Sequence, residues 1–106
     1  MKADDLQVMN KLKNHLRKQV NLHEMMLFGS RARGDAAPDS DMDVLVILDE
    51  PISRRSRKIV SDSAWEIGFN AGVVIVPVIV NRESWENGPD RASLLATAIR
   101  EEGMRI

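Results

Sequence analysis

Asp41 and Asp43 stand one residue apart, directly ahead of the run Val44-Leu45-Val46-Ile47-Leu48. In a strand, residues i and i+2 project to the same face. Two carboxylates so placed would lie about 6–7 Å apart along one side. Neither can pair with the other, and the aliphatic run supplies no counter-charge. A cation held between them resolves the repulsion. Oxygen ligands select a hard divalent ion, Mg²⁺, which commonly uses one or two carboxylates together with substrate phosphates.

Upstream lies Gly29-Ser30-Arg31-Ala32-Arg33-Gly34. Glycine allows a ligand to approach the backbone closely. If Ser30 opens a short helix, its amides point at an anion, and its hydroxyl is a further donor. Arg31 and Arg33 follow directly, within reach of phosphates. A phosphate cradle beside a metal site is the pairing that phosphoryl-type transfer needs.

Gly29-Ser30, Arg31, Gly34, Asp39, Ser40, Asp41, Asp43 and the apolar run resemble the minimal nucleotidyltransferases of the DNA polymerase β superfamily. The family pattern is Gly-Ser, about ten residues, then Asp-x-Asp opening a strand; here ten residues separate Ser30 from Asp41. The resemblance implies a polymerase β-like palm fold and transfer of a nucleoside monophosphate, AMP from ATP, to a hydroxyl. It implies that Gly29 and Ser30 hold the triphosphate; with Arg31, Arg33 and Ser40 they make up the expected nucleotide-binding set. Asp41 and Asp43 become the catalytic, Mg²⁺-holding pair. It further implies an antitoxin-like role, with a HEPN-domain toxin as the protein partner and hydroxyl donor.

The family normally carries a third carboxylate on the next strand. The corresponding run here, Gly72 to Val80, has none. Asp49 lies six residues beyond Asp43, about 20 Å along a strand, and Glu50 and Glu83 fall at the same far end. Glu24 and Asp35 could approach only through folding that the sequence does not require. A second function therefore stays open: a binding module of the same fold that neutralises or scaffolds its partner by contact.

A calcium loop is a competing reading. Asp39, Asp41, Asp43 and Glu50 imitate its ligand positions, but its obligatory glycine is replaced by Val44. Arg33-Gly34-Asp35 is a chance tripeptide. The cluster Arg54, Arg55, Arg57 and Lys58 reads as a solvated helix face, with contact to nucleotide phosphates or an acidic partner as the alternative.

These residues need elements to position them. Leu6, Met9, Leu12, Leu16 and Val20 recur at helical spacing, predicting a helix over residues 4–20 with Asp4 or Asp5 as its cap. Residues 24–28 predict a strand that ends at Gly29. Residues 41–49 predict a second strand, apolar on both faces and hence central. Ser53 caps a predicted helix over 53–70, which Gly72 ends. Val73 to Val80 predicts a third strand, which Pro77 assigns to an edge or a bulge. A whole helix connects the second and third strands, so they should run parallel. Residues 81–88 read as a turn. A last helix over 90–102, with Leu94, Leu95, Ala98 and Ile99 as its stripe, ends at Gly103. Trp65 and Trp85 are expected in the core or half-exposed. The outcome is an α/β (α+β) chain with a small mixed sheet and helices packed on it.

The 106 residues suit a single domain over 1–106. A formal charge of −1 gives no overall pull toward nucleic acid, and direct nucleic-acid binding is not expected. The chain has no cysteine, which excludes disulfides and thiolate-bound zinc. No run approaches the roughly 20 apolar residues of a membrane span, and the first residues do not read as a secretory signal. A cytoplasmic protein without membrane association is expected. The strand bearing Pro77 could leave a sheet edge for oligomer formation.

Overall fold

A computed structural model describes residues 3–35, 37, 39–88 and 93–106. The element order is α1 (Ala3–Arg17), β1 (Leu22–Phe28), α2 (Ser30–Arg33), β2 (Met42–Leu48), α3 (Arg54–Ala71), β3 (Ile75–Asn81), α4 (Arg82–Asn87), α5 (Leu94–Glu102) and β4 (Met104–Arg105). The strands form one four-stranded sheet in the order β3-β2-β1-β4. β1 is antiparallel to both β2 and β4, and β2 is parallel to β3. The sheet is thus mixed and helix-covered, as expected of an α+β chain.

β2 is central because its apolar run is covered on both faces. Met42, Val44, Val46 and Leu48 join Met9, Leu12, Leu16, Val60 and Ala64 in a core formed with α1 and α3. Leu45 and Ile47 join Met26 and Ile99 on the opposite face, with Trp85 packed against them. β3 is an edge strand, which accommodates Pro77. Ser53 caps α3 through a reciprocal pairing with Ser56, the capping box that fixes a helix start.

Several elements depart from expectation. α1 stops at Arg17, because the Leu16 carbonyl accepts from both Gln19 and Val20 as the chain turns toward β1. Asp4 and Asp5 lie inside its first turn and not at its cap. Its buried stripe is Asp5, Met9, Leu12 and Leu16, which leaves Leu6 exposed. The predicted turn at 81–88 contains α4, started by the Asn81 side chain accepting from Glu83 and Ser84 amides. The expected start of the last helix at 90, and Pro89 of the expected turn, lie outside the described residues. α5 buries Ala96 and Ile99, while Leu94 is 90% exposed. Trp65 and Phe69 stack on the outer side of α3 at 69% and 70% exposure, so neither is core. Trp85 is half-buried, with the Arg100 guanidinium 4.4 Å from its ring centre.

Candidate active site

The two acids and the Gly-Ser turn meet at one end of the sheet. Phe28, the last residue of β1, pairs with Asp43 of β2. Gly29 follows with φ +75°, a conformation that L side chains rarely adopt. A Cβ placed on Gly29 would stand 2.6 Å from Asp43 Oδ2. The absent side chain therefore does two things: it permits the turn, and it lets the backbone lie directly against the carboxylate. Ser30 to Arg33 then form one turn of helix, closed by Gly34 donating to the Ser30 carbonyl.

Asp41 is exposed at the strand mouth and Asp43 is half-buried. Burial, and secondarily the charge of Asp41, hold the Asp43 carboxyl above the usual carboxylate range. Among the described residues no basic side chain pairs with either acid. Two uncompensated carboxylates beside a close-approach glycine fit a divalent cation better than they fit each other. That donor set is all oxygen, as a hard cation requires.

The two arginines are both engaged by carboxylates of the chain. Arg31 is only 8% exposed. Its Nη1 donates to Asp5 Oδ1 at 2.8 Å, and its Nε and Nη2 donate to the Ser40 carbonyl at 2.9 and 2.6 Å. Its charged head is directed into the fold. Arg33 is exposed and pairs with Glu102 and Asp35. Ser40 is held through its carbonyl by Arg31. The sequence does place an acid, Asp5, four residues before Met9 of the apolar stripe of α1, but it does not name that acid's partner. An acid on such a stripe calls for a buried cation.

The position on β3 level with Asp43 is Val76, and β3 (Ile75–Asn81) contains no acid. Among the described residues no group of three or more potential ligands could hold a metal. Three of the acids weighed as a third ligand are engaged elsewhere. Asp49 pairs with Arg82, Glu50 accepts from the Asn21 amide, and Glu24 pairs with Arg105. Val44 lies in β2, so the calcium-loop reading fails: a strand occupies the place of the required turn. Of the basic cluster on α3, Arg54, Arg55 and Lys58 line a groove of about 640 Å³ with His15, Asp62 and Glu66, and neither Asp41 nor Asp43 is part of its lining. No helix among the described residues is long and apolar enough to cross a membrane.

Residues 9–97 match the model of a family described as nucleotidyltransferase domain. Over 102 residues the chain is 28% identical to spectinomycin 9-adenylyltransferase of Enterococcus faecalis, covering 87% of this chain and 40% of that protein. It therefore spans less than half the length of that relative. A solved toxin–antitoxin complex with AMP-PNP aligns at a TM-score of 0.65 and 20% identity, over 91% of this chain and 69% of the other. A structure of a tri-AMPylated HEPN toxin with an MNT antitoxin, from Shewanella oneidensis, aligns at 0.60 and 18%, over 96% and 70%. At these identities the two structural likenesses establish a shared fold.

Proposed function

The chain belongs to the nucleotidyltransferase domain family, and from that premise we propose that it transfers AMP from ATP to a hydroxyl of a partner protein. A HEPN-domain toxin is the partner proposed, with this chain as its antitoxin. One observation carries the chemistry: the Asp43 carboxylate lies so close to the Gly29 backbone that no Cβ fits between them. A triphosphate held at Gly29-Ser30 would then have its reacting end beside Asp41 and Asp43. The adenylyltransferase likeness supports AMP as the transferred group. The fold shared with the antitoxin of a HEPN toxin supports the partner.

In this reading Asp41 and Asp43 hold Mg²⁺. The ion supplies charge neutralisation for the phosphate oxygens. Gly29 and Ser30 orient the triphosphate through backbone amides and the Ser30 hydroxyl. The acceptor oxygen bonds to the α-phosphorus as the bond to the pyrophosphate oxygen breaks. Pyrophosphate leaves, and the hydroxyl proton passes to water, since β3 presents no carboxylate to receive it.

That gap on β3 supports a second reading, a binding module that neutralises its partner by contact. Incubation with labelled ATP, Mg²⁺ and the HEPN protein separates the two. Transfer of label to the partner, lost in the Asp41→Ala/Asp43→Ala variant, is the expected result. Full neutralisation by that variant, with no label transferred by the native chain, would establish the contact reading instead.

A further inference from the structure

We propose that Asp5 and Arg31 form a positioning clamp for Asp41, making the first helix part of the nucleotidyl-transfer apparatus. The inference rests on the reading of Asp41 and Asp43 as metal-holding acids. Its basis is geometric. Arg31 directs two donors to one acceptor, the Ser40 carbonyl, and a third to Asp5. The Ser40 carbonyl belongs to the peptide unit that contains the Asp41 nitrogen. That unit is planar, so holding its oxygen sets the direction in which the chain enters Asp41.

On the other side, the Met42 amide donates to the Val74 carbonyl at 2.8 Å. Asp41 itself is exposed and precedes the first residue of β2. Its backbone is therefore pinned on both sides while its carboxylate stays open. Arg31 also sits in α2, one residue after Ser30. One side chain thus ties the helical turn that follows Gly29 to the peptide unit that leads into Asp41. Asp5, 6% exposed, supplies the counter-charge that keeps the guanidinium in this position.

A buried ion pair is weak evidence for a stabilising role, because desolvation offsets much of its attraction. Its forked, directional donors are what an apolar pair of the same volume would lack. Arg31 and Asp5 touch no reacting atom and act through Asp41.

The test uses the full chain and Mn²⁺ alone as the probe, with affinity read by electron paramagnetic resonance. Arg31→Lys keeps the charge opposite Asp5 but loses the double contact to Ser40. Loss of such supporting contacts commonly lowers metal affinity by about 10–100-fold, and a fall of at least about tenfold is expected. In the transfer assay kcat should fall while the KM for ATP moves little. If Arg31→Lys does not give a native circular dichroism spectrum, Asp5→Asn carries the same comparison, and Asp5→Glu should restore affinity. Native affinity in folded Arg31→Lys or Asp5→Asn overturns the clamp and leaves the function standing. Absence of any Asp41-dependent Mn²⁺ binding in the native chain overturns the metal reading, and the clamp with it.

Discussion

A carboxylate at the mouth of a central strand is half in water and half in the fold, and Asp43 shows the result. Its carboxyl is held above the usual range by burial first and by the Asp41 charge second. The folded chain thus binds this proton more tightly than the unfolded chain does. The associated stability is present at low pH and is lost as pH rises from the ordinary carboxylate range through the folded value. At neutral pH, ionised Asp43 opposes folding. Asp43→Asn should therefore raise the melting temperature at pH 7, and the difference should close as pH falls below the carboxylate range. Divalent metal should raise the melting temperature of the native chain and leave that of the variant unmoved. A lower melting temperature for the variant at pH 7 would show that Asp43 is compensated within the protein. The same residues show why the site was partly legible. The spacing of Ser30 from Asp41 is a property of the sequence, whereas the inward turn of Arg31 depends on Asp5, 26 residues away.

Among elements, α3 against β3 sets two local preferences in opposition. Gly68 lies in the interior of α3, where alanine is ordinarily favoured by about 1 kcal/mol. A Cβ there would meet the Val73 carbonyl at 2.6 Å and Ile75 Cγ1 at 3.3 Å. Overpacking of this kind costs about 1–3 kcal/mol, and the obstacle is backbone, which yields little. Gly68→Ala should thus destabilise the fold in urea titration by up to about 2 kcal/mol, the net of the two effects. A gain in stability would mean that the helix stands farther from β3. Helix propensity alone predicts the wrong sign, which is typical of what the sequence withheld. β2 was readable because an unbroken apolar run admits only a covered position. The parallel placing of β3 followed from the helix that links them. α4 was missed because Arg82–Asn87 has no apolar period and is started by the single Asn81 cap. β4 has two residues and exists only through its pairing with Met26 and Leu27. Trp65 fits helical periodicity either inward or outward, and only packing decided it.

Across the whole molecule the two faces of the sheet are unequally supported. α1 and α3 bury Met9, Leu12, Leu16, Val60 and Ala64 on one face. On the other, α5 contributes Ala96 and Ile99. Regions with little buried apolar contact open at lower free energy than the global transition. Native-state hydrogen exchange should find the α5 amides exchanging at least about tenfold faster than those of α1 and β2. Equal protection would show one cooperative unit. The sheet itself ends at β3, and Pro77 determines how that border behaves. The Met42 amide bonds to the Val74 carbonyl, and the register runs from Ile75 opposite Met42 to Asn81 opposite Leu48. Residues 74, 76, 78 and 80 therefore turn their peptide groups inward, while 75, 77 and 79 turn theirs to solvent. Proline has no hydrogen to offer at the middle of those three. A fifth strand laid along this border would find donors at Ile75 and Ile79 with a gap between them. Pro77 thus removes the central donor of this border, one of the devices by which edge strands are made poorer templates for further pairing.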